Sequence, residues 1–267
     1  MRILIYGGCH AQVLQGILKR TLFPRATIDT VINFELIAQE VPFPFERLKN
    51  YDVFLCSPVV NKGPWNTDLI TNEAESAGLQ VISYPWLQWH GYFPTIKKMQ
   101  LAGLTIWFYE CLESLALEQS RVADFVSEAL EGDFLRGVIK TNLYESTDRL
   151  SAHEKDNKTD VVVSDFILQN YSNRRLFMTP DHPALCLYQE VSRQIGTLLG
   201  KFTWPLIDRS EPQNDDWTPI LPRVHKGLSL KFTANKLRLA GAEPENLSDF
   251  LPRFHTLIRG DLKKIVA

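Results

Sequence analysis

The chain has 267 residues, 45% of them hydrophobic and 22% charged, with a formal net charge of -2 at pH 7. This length and composition can bury a sizeable core, which argues against global disorder, and the near-neutral charge gives no electrostatic reason to expect a nucleic-acid partner. No apolar run approaches the roughly 18 residues of a membrane span, and the N-terminal apolar run is too short for a secretory signal, so we expect a cytoplasmic protein with no integral membrane segment.

The N-terminal part of the chain alternates between strand and helix patterns. A buried strand is predicted at residues 2–6 and is followed by an amphipathic helix at 11–20, and a later helix is predicted at 67–78. Further strands are predicted at residues 26–33, 51–59 and 79–85. Strands that alternate with helices are typical of βαβ units, so the sequence predicts an α/β fold with a parallel sheet.

Beyond this part, the patterns become largely helical. Residues 86–98 are rich in aromatic side chains and are predicted to form an ordered loop, and residues 112–150 have a helical pattern. The polar residues 151–160 are predicted to form a surface turn, while 161–171 fit a helix or a strand equally well. We therefore expect one α/β domain over residues 1–267, with a helical insertion at about 100–160 and an irregular C-terminal extension from about 205.

The cysteines give no indication of a metal site or a disulfide framework. The chain has four of them, Cys9, Cys56, Cys111 and Cys186, and no two form a CxxC pair. This spacing is poor for zinc, so we expect reduced thiols and no metal. Three of them lie in apolar runs typical of small buried residues, and Cys9 is the exception.

The stretch "LIYGGCHAQVLQGIL" joins the first strand to the first helix through two glycines, a cysteine and a histidine. Cys9 lies where the helix begins, so the unpaired first-turn N–H groups and the peptide dipoles favour its thiolate. Gly7 and Gly8 leave room for a substrate carbonyl to reach the backbone amides, as in an oxyanion hole. The pattern predicts a nucleophile, although a tight turn with a buried cysteine explains it equally well. The glycine spacing fits neither GxGxxG nor GxxxxGK[ST], which argues against a dinucleotide or a nucleotide triphosphate at this turn.

A second candidate lies in "TPDHPAL". Pro183 suits the first helical position, which would make His182 or Asp181 the helix cap. A helix N-terminus disfavours imidazolium, so we expect His182 to be a neutral general base that lies close to Cys9 in the fold. Asp181 is expected to cap the helix or to influence the imidazole. A capping histidine without a catalytic role is the alternative, and His10 is the second candidate for the base because it neighbours Cys9.

Three motifs carry a family resemblance: "YGGCHAQ", "YPWLQWHGYFP" and "SDFILQNYSNRRLFMTPDHPALCLYQEV". Their order and spacing resemble the WcbI family of capsular polysaccharide biosynthesis proteins. The resemblance implies an acetyltransferase that takes coenzyme A or acetyl-CoA as co-substrate and transfers to a saccharide or small-molecule acceptor. The family usually has Gly-Asn-Cys-Gln at the first turn, where this chain has Gly8 in place of Asn and His10 in place of Gln. The family usually has Asn before His-Pro, where this chain has Asp181.

The layout is also similar to that of the SGNH hydrolases. In those enzymes a nucleophilic serine follows the first strand, and an Asp and a His come from a late loop. By this resemblance Cys9 would stand in the serine position and His182 in the histidine position. It implies a Rossmann-like or SGNH-like three-layer N-terminal part with a largely helical remainder.

Binding residues are predicted around these two candidates. Coenzyme A phosphates need cations or helix N-termini, and the candidates near the motifs are Gly7, Gly8, Arg174, Arg175, Lys97 and Lys98. Asn61 follows a predicted strand end, where it would donate to an oxyanion or form a turn. His90 and Tyr92 are predicted to line a sugar or pantetheine pocket, with aromatic packing under a loop as the alternative.

The leading expectation is a coenzyme A-dependent O-acyltransferase acting on a sugar or polysaccharide precursor. Cys9 would either take the acyl group or only position the thioester, and His182 would deprotonate the acceptor hydroxyl. A thiol esterase or thioesterase on the same scaffold and a non-catalytic ligand-binding module are the alternatives.

Overall fold

A computed structural model describes residues 1–101, 103–204, 216–239 and 242–265. The strands are β1 (Arg2–Gly7), β2 (Thr27–Ile32), β3 (Val53–Cys56), β4 (Gln80–Ser83), β5 (Ile96–Leu101), β6 (Leu104–Tyr109), β7 (Phe177–Thr179), β8 (His182–Pro183), β9 (Lys236–Leu237) and β10 (Glu245–Asn246). The helices are α1 (Cys9–Arg20), α2 (Asn33–Ala38), α3 (Thr67–Ser76), α4 (Glu110–Glu118), α5 (Val122–Glu131), α6 (Val138–Asp156), α7 (Ser164–Asn170), α8 (Leu185–Leu198), α9 (Pro222–Gly227) and α10 (Leu247–Ile265). Two short 3-10 helices cover Phe45–Asn50 and Gly63–Trp65.

The chain divides into two compact units, and each draws on three separate segments. The first unit contains Met1–Leu87, Arg149–Phe166 and Leu185–Glu211. The second contains Gln88–Asp148, Ile167–Ala184 and Pro212–Ala267. The expectation that residues 1–267 form a single domain stays a prediction.

A parallel sheet forms the centre of the first unit. Its strands lie in the order β2-β1-β3-β4, and every neighbouring pair is parallel. The middle of β1, from Ile3 to Tyr6, has no exposed surface. A continuous apolar run of this kind is typical of a strand covered on both faces. The structure therefore confirms the predicted α/β fold with a parallel sheet.

Helices cover this sheet on both faces. The chain passes from β1 through α1 to β2 in one direction and from β3 through α3 to β4 in the other. Because crossovers between parallel strands are right-handed, opposite directions put α1 and α3 on opposite faces. Leu4 and Tyr6 of β1 accordingly pack in one cluster with Ile70 and Ala74 of α3, while α8 packs against α1. The SGNH-like detail beyond this layering stays a prediction.

The second unit is built around an antiparallel hairpin and helices. Strands β5 and β6 pair from Ile96↔Tyr109 to Leu101↔Leu104. Helix α10 packs against α4 and α5, and its Phe254 ring lies 4.7 Å from that of Phe108 on β6. A buried aromatic cluster of this kind supplies much of the apolar surface that holds a unit together.

Two sequence expectations differ from these elements, and one alternative that the sequence left open is decided. The predicted surface turn at residues 151–160 is mostly helix, because α6 continues to Asp156 and its buried Glu154 accepts hydrogen bonds at the start of α7. Residues 161–171, which fitted helix or strand, contain α7. The C-terminal stretch is not irregular: α10 runs through Pro252, whose presence hides an amphipathic pattern. Residues 205–215, where the predicted extension begins, lie outside the described residues.

None of the helices in the described ranges has the length and apolar character needed to cross a bilayer.

Candidate active site

Cys9 is the first residue of α1, directly after the β1 strand and its glycines. Gly8 is the N-cap residue, no side chain caps the helix, and its first turn holds no acidic residue. The Cys9 side chain is exposed, whereas Cys56 is buried and the remaining two cysteines are half-buried. The exposed thiol therefore lies at the positive end of a helix dipole, as an activated nucleophile requires.

This turn also lies at a topological switch point of the sheet. Strand β1 has β2 on one side and β3 on the other. The connection from β1 runs to β2, and the connection from β3 runs in the opposite direction, to β4. Ligands of open α/β sheets bind beyond the carboxyl ends of the strands at such a point. The residues that directly follow β2, β3 and β4 are Asn33, Ser57 and Tyr84, and all three are buried.

The Tyr84 hydroxyl lies directly beneath the glycine turn. A Cβ atom added at Gly7 would collide with this hydroxyl, so only glycine fits there. The hydroxyl is buried and makes no hydrogen bond within the described part of the chain, and the same is true of the Ser57 hydroxyl. Burial, together with the charges of Cys56 and Cys9, raises the pKa of Tyr84, so the group stays a neutral donor. Orphaned buried hydroxyls are rare and point to a functional or solvated position.

Gly8 has a different environment. A Cβ atom there would lie 3.8 Å from Asn33 Oδ1 and 4.0 Å from Trp86 Cζ3, which are ordinary contacts. Its φ of -82° is open to any residue. The contact with Tyr84 therefore requires glycine at Gly7, whereas nothing around Gly8 requires it.

The two glycines give a testable contrast in stability. We expect Gly7→Ala to destabilise the protein by about 1–3 kcal/mol through overpacking, and Gly8→Ala to change the free energy of unfolding little. In a Tyr84→Phe background the added methyl meets the Cζ atom of residue 84 and the Cβ atom of Ala11, each at 3.5 Å, which are ordinary contacts, so Gly7→Ala should cost less there. Urea unfolding of the four combinations measures this coupling, and an equal cost in both backgrounds would contradict the proposed clash.

His10, the second candidate for the base, lies in the core of the first unit. It is 4% exposed, and its ring centroid lies 5.9 Å from that of Trp86 and 6.1 Å from that of Tyr188, both edge-on. This environment favours a packing role for His10 over proton transfer to a bound substrate.

His182 is not at a helix N-terminus, so that prediction was wrong. Residues His182–Pro183 form β8, which pairs with β7 through Thr179↔His182 and Phe177↔Pro183, and α8 begins only at Leu185. A hairpin forms here in place of the predicted helix start because Pro183 and Ala184 continue the pairing. The Ala184 N–H donates to the Leu176 carbonyl at 2.8 Å. The helix dipole therefore gives no reason for a neutral His182.

Asp181 stands beside the imidazole and is held by its neighbours. Its Oδ1 accepts hydrogen bonds from Thr179 Oγ1 at 2.8 Å and Trp107 Nε1 at 2.7 Å, and lies 4.0 Å from His182 Nδ1. Its Oδ2 lies 3.5 Å from Lys98 Nζ. Burial alone would raise the pKa of this carboxyl, but the Thr179 hydrogen bond, the His182 and Lys98 charges and the Trp107 hydrogen bond lower it overall. Asp181 is thus a fixed carboxylate next to His182, and not a helix cap.

The two arginines predicted to bind phosphate have different environments. Arg174 is exposed. The Arg175 guanidinium donates to the carbonyls of Phe177, Met178 and Thr218 at 2.6–3.0 Å, and burial lowers the pKa of Arg175 to about 10. This geometry argues for a structural role of Arg175 and leaves Arg174 as the phosphate candidate.

Lys97 is held by carboxylates. Its Nζ lies 2.7 Å from Glu113 Oε2 and 3.3 Å from Glu110 Oε1, and the hydrogen bond to Glu113 is the main cause that raises the pKa of Lys97. A coenzyme A phosphate would have to compete with both glutamates, which argues against Lys97 as a phosphate ligand.

Tyr92 and His90, the two residues predicted to line a sugar or pantetheine pocket, have different environments. Tyr92 is fully buried, and its hydroxyl donates to the carbonyls of Tyr171 and Arg174. This environment favours the alternative of aromatic packing, and a role in a substrate pocket stays a prediction. His90 is half-buried, with its ring edge-on to Trp107 at 5.6 Å, and therefore supports that indole.

Asn61 lies in the exposed loop after β3. Its φ of 57° is left-handed, a conformation that asparagine tolerates better than most residues. This favours the turn-forming interpretation, and its oxyanion role stays a prediction.

Cys9 belongs to the first unit and His182 to the second. The expectation that their side chains approach each other stays a prediction. Within the described ranges, no group of three or more His, Cys, Asp or Glu side chains could hold a metal ion.

Sequence reasoning missed two groups of residues. Asn33, Ser57 and Tyr84 share one detectable signal, since each directly follows a strand at the carboxyl edge of a parallel sheet. The side chains around His182 in the second unit carry no such signal, because they come from segments far apart in the chain. They are Trp107, Asp216, Trp217 and Arg238, together with Lys98, which the sequence indicated only as a phosphate ligand.

The chain is similar to one protein family and to one solved structure over most of its length. A family model described as polysaccharide biosynthesis enzyme WcbI matches residues 2–201. One similar solved structure is described as WcbI, a novel polysaccharide biosynthesis enzyme, in its native form without a disulfide bond between coenzyme A and a cysteine. The two share 19% identity over 97% of this chain and 89% of that chain, with a TM-score of 0.77, which supports the fold. No curated protein matches the chain. On the match to the family model, this protein is a member of the WcbI family of polysaccharide biosynthesis enzymes.

Proposed function

We propose that this protein is a coenzyme A-dependent O-acyltransferase, with acetyl as the simplest acyl group, that modifies a sugar or polysaccharide precursor. The observation that carries the proposal is the exposed Cys9 thiol at the N-terminus of α1, in a member of a polysaccharide biosynthesis family. The similar solved structure, described as a native form without a disulfide bond between coenzyme A and a cysteine, supports coenzyme A as the co-substrate.

In the proposed first step, Cys9 is the nucleophile. Its thiolate attacks the carbonyl carbon of the thioester, so that a new S–C bond forms while the bond between that carbon and the coenzyme A sulfur breaks. The proton that left the Cys9 thiol goes to the departing coenzyme A thiolate. First-turn amides of α1 would donate to the oxygen that becomes negative in the tetrahedral intermediate.

In the proposed second step, His182 is the general base. It takes the proton of the acceptor hydroxyl while that oxygen attacks the acyl carbon, which forms the ester bond and returns Cys9 as a thiolate. The proton on His182 then returns through solvent to the Cys9 thiolate and restores the thiol, so in the net reaction the acyl group moves from coenzyme A to the acceptor oxygen and the acceptor proton replaces it on the coenzyme A sulfur. Asp181 stabilises the imidazolium that forms, because its carboxylate lies 4.0 Å from Nδ1.

Alkylation of the thiols separates this function from the alternatives. Iodoacetamide should modify Cys9 faster than the half-buried Cys111, and coenzyme A should slow the modification of Cys9 alone. A fast reaction that coenzyme A does not affect would instead indicate an esterase that accepts water. A slow reaction at Cys9 would indicate a ligand-binding module. Peptide mapping by mass spectrometry assigns each modified cysteine.

Binding of coenzyme A should depend on Arg174. Losing a charge-assisted phosphate contact costs about 1.5–3 kcal/mol, so Arg174→Glu should weaken binding roughly 10- to 100-fold by calorimetry. Lys140→Glu, which makes the same charge change at another exposed position, is the matched control. No binding by the unmodified protein would overturn the proposed function, whereas unchanged binding in Arg174→Glu would reject only the phosphate assignment.

A further inference from the structure

A cavity of about 300 Å³ lies wholly within the second unit, next to His182. Its wall includes Lys98, Trp107, Asp181, His182, Trp217 and Arg238. Ligand pockets in proteins span about 300–1,000 Å³, so this cavity is at the small end of the range. It has room for one six-membered sugar ring.

The aromatic walls of the cavity are held rigidly. Trp107 donates from Nε1 to Asp181 and lies under Lys98, whose Nζ is 5.0 Å from the indole centroid. Trp217 pairs with Arg238 through both backbone hydrogen bonds, at 2.8 and 3.0 Å, and the Arg238 guanidinium carbon lies 5.6 Å from its indole centroid. Aromatic surfaces fixed in advance lose little entropy when a ligand packs on them.

The charges of the cavity balance. Lys98 and Arg238 are matched by the carboxylates of Asp181 and Asp216, and Lys98 lies within 3.5 Å of Asp181. Threonine hydroxyls add further donors and acceptors to the wall. A balanced set of cations and carboxylates favours a neutral ligand with many hydroxyls over an anion such as a phosphate.

One polar atom on this wall has no hydrogen-bond partner in the part of the protein that the structure describes. Nδ1 of His182 is buried and makes no hydrogen bond within the described ranges, since Asp181 Oδ1 at 4.0 Å is beyond hydrogen-bond distance. A buried ring nitrogen without a partner costs free energy unless something binds to it. A hydroxyl that enters the cavity would supply the missing partner.

We propose that this cavity binds a neutral pyranose, with its C–H face against the indoles of Trp107 and Trp217 and one hydroxyl at His182 Nδ1. Binding itself follows from the cavity alone. The identification of this pyranose as the acyl acceptor rests on the proposed function, in which His182 deprotonates the acceptor hydroxyl.

Fluorine NMR of protein labelled with 5-fluorotryptophan tests the binding. The chain has six tryptophans, and Trp→Phe variants assign their resonances. The probes are methyl α-D-glucopyranoside, methyl α-D-mannopyranoside and methyl α-D-galactopyranoside, with glucuronate and inorganic phosphate as anionic comparisons. We expect at least one neutral probe to shift the Trp107 and Trp217 resonances and to leave Trp65, in the first unit, unchanged. No shift with any neutral probe, a shift with the anions only, or an equal shift of Trp65 would each overturn the proposal.

Two variants relate binding to the cavity walls. Trp217→Leu should weaken binding of the best probe at least tenfold, which corresponds to about 1.4 kcal/mol. Lys98→Met changes a side chain that is 58% exposed, so it is expected to fold, and it should weaken the same probe several-fold by removing a donor. Unchanged affinity in a folded Lys98→Met protein and in Trp217→Leu would overturn the proposal.

A transfer assay separates this proposal from the proposed function. If a probe binds at the tryptophans but no acyl group is transferred from acetyl-CoA, the cavity proposal stands and the proposed function fails. If transfer occurs but both variants leave the KM for the acceptor unchanged, the proposed function stands and the cavity proposal fails.

Discussion

Replacing Cys9 by serine should lower the rate of acyl transfer by at least about a thousandfold, because a hydroxyl is rarely ionised at neutral pH and a thiolate is a far better nucleophile. The rate of coenzyme A release from acetyl-CoA in the presence of acceptor measures this effect. Binding of coenzyme A by calorimetry should persist in Cys9→Ser, since the phosphates do not contact this side chain in the proposal. Cys111→Ser, at a half-buried cysteine, is the matched control and should retain the rate.

The same variant distinguishes two roles for Cys9. If an acyl-cysteine forms, intact mass spectrometry of the unmodified protein after brief mixing with acetyl-CoA should show one added acetyl group, and Cys9→Ser should show none. If Cys9→Ser instead keeps more than about a tenth of the transfer rate, covalent catalysis by Cys9 is ruled out and its role is to position the thioester.

Replacing His182 by alanine should lower acyl transfer roughly 100- to 10,000-fold, the range usual for loss of a general base. Because the proposed base acts on the acceptor, the acyl group should accumulate on Cys9 in His182→Ala, and mass spectrometry should detect it. Added imidazole should restore part of the rate. His153→Gln is the matched control, since His153 lies on α6 and is not part of the proposed machinery.

Two outcomes would contradict this role of His182. A rate in His182→Ala within a few-fold of the unmodified protein would remove it from the mechanism. Loss of both the transfer and the acylation of Cys9, in a protein that still binds coenzyme A, would show that the histidine activates the thiol and not the acceptor.

The sequence by itself determined the parallel sheet and the Cys9 turn. The buried run of β1, the glycines and the amphipathic α1 lie next to one another in the chain, so local patterns of apolar residues and turn chemistry were enough to predict them. The strand order that makes this turn a switch point was not predictable in the same way. It depends on pairing between β1 and β3, which are separated by many residues.

The region around His182 shows the limit of local patterns. Proline in the sequence "PDHPAL" fits the first turn of a helix and also a short edge strand, and local preferences do not choose between them. These residues form strand β8 in the folded protein because Leu176 and Phe177 pair with them. The predicted helix cap was therefore wrong, although Asp181 does lie beside His182.

Only the tertiary structure decided which polar side chains surround the candidate residues. Arg175 became a structural group because carbonyls of Phe177, Met178 and Thr218 converge on its guanidinium. The requirement for glycine at Gly7 comes from the Tyr84 hydroxyl, contributed by another strand end. The physical reason is the same in each case. Secondary structure follows from interactions between near neighbours in the chain, whereas the partners of a buried polar group are set by which distant segments pack together.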